Sequence, residues 1–204
     1  MLPAKECNWR EWHVPLQFGH HPLRAVLDSY KHLSAKQSDI PLIIRLIENP
    51  KFSIPGLPLF NGAVDLHDHD CIHALLGRGL LPKDEAFTIG FTMGSTHRVT
   101  TAETRLYAFA AKHLYPGPYK FDSQAIQVFK DAVHLGYVSD CIPLNQVKYR
   151  CYYDLSLDQA RAKIGIEADL LAAYFRIEQR RYPDSVESQR LIVRNKKTPT
   201  QTGQ

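Results

Sequence analysis

The sequence predicts an all-α protein, a single globular domain of about seven helices, from three observations. Apolar residues recur at the helical period, as in Leu23, Val26, Leu27, Tyr30 and Leu33. Punctuation separates the periodic stretches, at Gly77-Arg78-Gly79 with Pro82, at Ser95-Thr96 and at Pro116-Gly117-Pro118. Strand-like alternation is confined to Val147–Tyr153, which reads as a short hairpin arm or extended loop. A chain of 204 residues, 44% hydrophobic and 23% charged, buries a sizeable core without disulfide or metal staples and is not disordered as a whole.

The elements follow in order. Residues 1–21, with Trp9, Trp12 and Pro15, form an irregular leader. Pro22 opens the first helix from its first turn. A second begins with Asp39 as N-cap and ends before Pro50, and Pro55, Pro58 and Gly62 mark a loop. Four helices then occupy roughly 62–77, 82–97, 100–115 and 122–137, the last capped by Asp122 or Ser123. A long final helix is expected from Ser156 to about Tyr182, opened by a Ser156/Gln159 capping box. Residues 1–182 thus make the helical domain. Residues 183–204 read as a polar, basic tail carrying Arg190, Arg194, Lys196 and Lys197, mobile over its last ten or so positions.

The formal charge of +4 is mild and lies partly in that tail, so nucleic acid is not an expected partner. The longest apolar run, Ile40–Ile44, stops at Arg45, too short for a membrane span. Met1–Glu6 lacks a signal-peptide core. Cys7, Cys71, Cys141 and Cys151 form no paired motif and read as free thiols in a reducing compartment, Cys71 and Cys141 buried. The expected location is cytoplasmic.

Function is concentrated in the histidines. Of ten, three fall between positions 67 and 73, in the segment Asp65-Leu66-His67-Asp68-His69-Asp70-Cys71-Ile72-His73. Neutral imidazole and carboxylate are the ligands that zinc, iron and manganese accept. At about 100° per residue, His69, Asp70 and His73 share one arc roughly 100° wide, with Asp65 at its edge. His67 and Asp68 point elsewhere. Gly77, Gly79 and Pro82 turn the chain back, and Gly79 is midway between His73 and Glu85. In an antiparallel hairpin Glu85 therefore faces His73, each roughly 9 Å along the axis from the midpoint. The geometry supports a ligand set of His69, Asp70 or Asp65, His73 and Glu85.

His69-Asp70-Cys71-Ile72-His73, eleven residues and then Glu85 resembles the HDxxH-x11-E signature of the coenzyme Q (ubiquinone) biosynthesis protein four family. The resemblance covers residues 69–85, and Asp84 stands where family members usually carry glycine. It implies a helical protein that binds zinc, or else iron or manganese, and associates peripherally with membranes. It also implies a role in decarboxylation and hydroxylation of a polyprenylated ring. His69, Asp70, His73 and Glu85 are then metal ligands or their supports, and Asp70 and Glu85 the expected catalytic carboxylates. The expected partners are a prenylated lipid, a membrane surface and a second copy in a homodimer.

Four further readings accompany this one. Phe87, Gly90, Phe91 and Gly94 could line a tunnel for an isoprenoid tail, with Thr92, Ser95 and Thr96 at a polar head group; tight helix packing accounts for the glycines equally. Asp131 and His134 have the spacing of a di-metal carboxylate site, completed by Asp70, His73, Glu85 and Glu103. His69-Asp70 or His67-Asp68, with His32 and Asp131, would suit an HD-type phosphohydrolase. The last is a non-catalytic prenyl-lipid scaffold with a structural metal. The basic tail could touch anionic lipid at about 1 kcal/mol per charge, or remain a solvated tail.

Overall fold

A computed structural model describes residues 10–30 and 61–192, and within them the chain is helical. The helices are α1 (Leu23–Tyr30), α2 (Leu66–Leu76), α3 (Pro82–Ser95), α4 (Thr101–His113), α5 (Ser123–Val138), α6 (Leu157–Ile164), α7 (Ala168–Arg181) and α8 (Val186–Gln189). The expected helix at 39–49, the loop at Pro55 and Pro58, Cys7, His32 and residues 193–204 lie outside the described residues. No helix described is long and apolar enough to cross a membrane.

The caps predicted locally are present. Asp122 accepts the Ala125 N–H at 2.7 Å, and Ser156 and Gln159 cap each other's backbone at 3.2 and 3.1 Å. Asp65 opens α2 by accepting from Asp68 N–H at 3.0 Å. Gly77 closes it with φ of 67°, a conformation that a Cβ disfavours. Arg78 N–H then reaches His73 O at 3.0 Å and Gly77 N–H reaches Ala74 O at 3.3 Å, the paired bonds of a Schellman ending. Pro82 starts α3, and the Asp84 carboxylate accepts the Leu81 N–H at 3.2 Å. Helices α2 and α3 are thereby folded back on one another.

The packing of α3 on α5 is backbone against backbone. A Cβ built on Gly90 would sit 2.4 Å from Phe129 O, one on Gly94 2.2 Å from Val133 O, and one on Gly136 2.3 Å from Phe91 O. Three glycines on two helices leave no room for side chains between them. Phe87, Phe91, Tyr107, Phe129 and Phe175 fill the core around this contact, and the leader inserts Trp12, whose Nε1–H donates to Ser29 Oγ at 3.1 Å.

Three sequence expectations are corrected. The final helix is two: Gly165, at φ of 85°, ends α6, and both Gly165 and Ile166 N–H close on Arg161 O at 2.8 and 2.9 Å. Residues Val147–Tyr153 are not a strand arm but belong to the 3-10 turns Leu144–Gln146 and Tyr149–Tyr152 and their flanks. The alternation is real, since Val147 and Tyr149 are buried and Lys148 and Arg150 exposed. Among the described residues, however, no strand lies alongside to pair with it. The tail does not start at 183, because α8 packs on α7 through Gln179 and Gln189, and Leu191 is fully buried.

Cys71 and Cys141 are buried free thiols, as expected, and Cys151 is exposed. A valine at Gly94 has to separate α3 from α5, so Gly94→Val should lower unfolding free energy by about 3 kcal/mol. Gly117, with nothing within 4 Å of its Cβ position, is the control: Gly117→Ala should change it by less than about 0.5 kcal/mol. Urea denaturation of the two variants measures both.

Candidate metal centre

His69 and His73 are one turn apart on α2 and so share a face. Their rings lie 4.6 Å apart between centroids at 75°. The return of the chain at Gly77 sets the first turn of α3 opposite them. Glu85 Oε2 is 3.4 Å from His69 Nε2 and 3.3 Å from His73 Nε2. Both Nε2 atoms are buried, and the polar group that both face is the single Glu85 Oε2, one carboxylate oxygen shared between two imidazoles. The potential ligand atoms of His69, His73 and Glu85 lie within 4.8 Å of one another. Two imidazoles and a carboxylate are a fitting donor set for a divalent transition metal. The His73 side chain is fully buried, that of His69 is 18% exposed and that of Glu85 31%. The site is closed behind His73 and open beside Glu85.

Support comes from behind. His73 Nδ1 lies 3.3 Å from Thr88 Oγ1. With its proton on Nδ1, the ring can donate to that oxygen and offer Nε2 as a ligand atom on the Glu85 side. Burial pushes His69 down to about 4, against the pull of Glu85, so this imidazole is neutral near pH 7. Burial works the same way on His73, but Glu85 and then Asp70 and Asp84 outweigh it, and its proton affinity rises. Burial would raise Glu85, yet the His73 and His69 imidazoles hold it down at about 2. The two imidazoles are thus driven apart, His69 toward the neutral form and His73 toward the protonated one, with Glu85 ionised between them.

The predicted residues divide. His69, His73 and Glu85 come together. Asp70 does not join them as a ligand and acts on His73 through its field. Asp65 caps α2 and belongs to a second group, with His67 and Asp68, whose ligand atoms also approach within 4.8 Å. There His67 Nδ1 is 3.1 Å from Asp68 Oδ1, and Nε2 is hydrogen-bonded to the Tyr153 hydroxyl. His67 and Asp68 thus face away from the first group, as the helical spacing predicts.

The isoprenoid tunnel is overturned at the residues proposed for it. Gly90 and Gly94 are occupied by the α5 backbone, while Phe87 and Phe91 are buried core, stacked at 5.9 Å. The hydroxyls of Thr92, Ser95 and Thr96 return to carbonyls of their own helix at 2.7, 2.8 and 2.7 Å. The di-metal set does not assemble either. Asp131 is held by Arg181, Tyr174 and Gln127, His134 is exposed, and Glu103 forms a capping box with Thr100 and binds Asn61. Asp131 is likewise unavailable to complete a phosphohydrolase site.

Sequence reasoning missed two things. One is Tyr153, 86 residues from His67, for which no local signal exists. The other is a set of buried ions at the bend. Arg78 is fully buried and forms a two-bonded pair with Glu178, at 3.1 and 2.6 Å, between the rings of Phe87 and Phe175 at 3.8 and 4.4 Å. No family model, curated protein or solved structure matches the chain.

A divalent metal held by this group would compete with a proton for His73 Nε2. Metal affinity should therefore fall as pH drops through the raised His73 range, and binding below that range should release about one proton. Calorimetric titration of zinc in buffers of different ionisation enthalpy measures the release. His73→Ala should abolish both the binding and the proton.

Proposed function

We propose that this chain is a divalent-metal protein of the coenzyme Q biosynthesis protein four type, which binds and transforms a polyprenylated aromatic ring. The observation that carries the reading is the convergence of His69, His73 and Glu85 at the spacing of that family's motif, with two buried imidazole nitrogens turned to one carboxylate oxygen. Zinc suits this donor set, and iron or manganese would also be accepted. His69, His73 and Glu85 would hold the cation. When bound, it supplies Lewis acidity toward an oxygen substituent of the ring.

The chain's own groups do the rest. Thr88 fixes the orientation of His73, and burial keeps His69 neutral and able to ligate. Asp70 adds negative field beside His73 without entering the cluster. The His73 side chain is fully buried and Glu85 is part-exposed, so a substrate would reach the site from the Glu85 side. The group found among the described residues has three donors. A fourth position taken by water or substrate would give chemistry, and one taken by protein a scaffold role.

Support for contact with a membrane comes from α4. Its outer face exposes Leu106 and Phe109, 54% and 56% accessible, with Leu114 just beyond its end. Arg105 and Lys112 are exposed alongside, and the one acid of α4, Glu103, is engaged by Thr100 and Asn61. An apolar strip with a cationic flank suits the interface of an anionic bilayer. The prenyl tail would approach from such a surface and not along Gly90 and Gly94.

Two experiments test the proposal. Purified protein should contain close to one divalent metal per chain and convert a polyprenylated carboxylated phenol, followed by mass spectrometry. Glu85→Gln and His73→Ala should lower turnover by roughly a hundredfold or more. Phosphate release from nucleotides with no change in the ring compound would instead assign a phosphohydrolase, and tight prenyl-lipid binding without turnover a scaffold. Vesicle flotation examines the surface: Phe109→Asp and Arg105→Gln/Lys112→Gln should each reduce binding to anionic vesicles, and raising salt should affect wild type in the same direction.

A further inference from the structure

The residue before the acidic ligand is Asp84, a fully buried carboxylate inside the bend between α2 and α3. Its Oδ2 accepts the Leu81 N–H and is hydrogen-bonded to Arg190 Nη2. Arg190 Nη1 donates to Arg10 O at 2.8 Å. The same guanidinium lies on the bare face of Gly79, where a Cβ would stand 2.0 Å from Nη2 and 2.7 Å from Trp12 O. Arg78, on the other side, is 3.9 Å from Asp84 Oδ1 and is committed to Glu178. Glu178 in turn accepts from Ser188 Oγ at 3.0 Å. Charges from α7 and the residues that follow thus grip both sides of the bend.

A buried carboxylate without its counter-charge is strongly disfavoured. With Arg190 removed, Asp84 would keep as counter-charge only the longer pairing with Arg78, whose fork Glu178 already holds, and would relax toward water. Because Asp84 caps the first turn of α3, that turn shifts with it, and Glu85 is the next residue. We propose that Arg190 is a positioning residue for the metal centre: by pairing with Asp84 it fixes the first turn of α3 at the height where Glu85 meets His69 and His73. The C-terminal segment is in this sense part of the site. The inference rests on the metal reading above, and it concerns a residue that never touches the ion.

The test uses the full-length chain with zinc and with cobalt(II) as a spectroscopic substitute. Arg190→Ala should weaken zinc binding, measured against a chromophoric chelator, by about 10- to 100-fold and alter the visible cobalt bands, with far-ultraviolet dichroism unchanged. Arg190→Lys, which keeps the charge but not the fork, should fall between. Arg190→Ala/Asp84→Asn removes the stranded charge and keeps a cap acceptor, so its zinc affinity should return to within a few-fold of wild type. A merely structural role for Arg190 would lower stability in Arg190→Ala and leave the cobalt bands of the folded protein unchanged.

Wild-type affinity and cobalt bands in Arg190→Ala overturn the inference, as does a loss of affinity that the double variant leaves unrepaired. Should Arg190→Ala fail to fold, Arg190→Lys decides: weakened binding in a folded protein supports the role, and unchanged binding removes it. Absence of metal binding in wild type, or equal binding by His73→Ala, sinks the metal reading itself. That outcome is distinct from metal binding that needs His73 and ignores Arg190.

Discussion

The reversal of the chain at Gly77 is the constraint on which the rest of this structure depends. One residue at φ of 67° ends α2, and the two hydrogen bonds behind it direct α3 back along the helix it follows. Without that geometry the two imidazoles of α2 face a different surface, and Glu85 has no reason to approach them. The leader secures the outside of the turn, since His13 Nε2 lies 3.0 Å from Gly77 O and Leu16 covers the face that a Cβ would take. The site is therefore a product of backbone conformation first and ligand chemistry second.

Helix α3 serves two different surfaces. One side is stripped of side chains at Gly90 and Gly94 so that α5 can lie against its backbone, and this contact gives the helix a fixed seat. The other side carries Glu85 and Thr88 toward the histidines. The separation explains why a glycine-rich stretch next to a metal motif is not a ligand channel. Close helix packing consumes the space that the missing side chains create, and what remains is rigidity, the property a ligand set of few residues needs.

Much of this was legible in the sequence because it is local. Helical period, the caps at Asp122 and Ser156, the turn glycines and the i, i+4 histidines are all encoded within a few residues, and equal spacing from Gly79 sufficed to pair His73 with Glu85. Asp70 shows the limit of a helical wheel, which gives angle but not reach: it shares the arc, yet its charge and not its oxygen serves the site. Gly165 carried a readable signal, overridden because the apolar period continues on both sides of it. Arg78 with Glu178, Asp84 with Arg190 and His67 with Tyr153 are separated by 100, 106 and 86 residues. Such pairings belong to the tertiary fold, so a tract that reads as a solvated tail proves to hold the counter-charge of a buried acid.

The pairing of Asp84 with Arg190 also has a temporal side. On a ribosome α2 and α3 emerge well before the guanidinium that belongs in their bend, and Glu178 arrives late as well. During that interval Asp84 is a carboxylate without Arg190, and such a group stays in contact with water. The helices can form early, but their junction cannot dry until the distal segment has been synthesised and has docked. The order of synthesis thus leaves the corner that gathers His69, His73 and Glu85 to close after its own helices have been made.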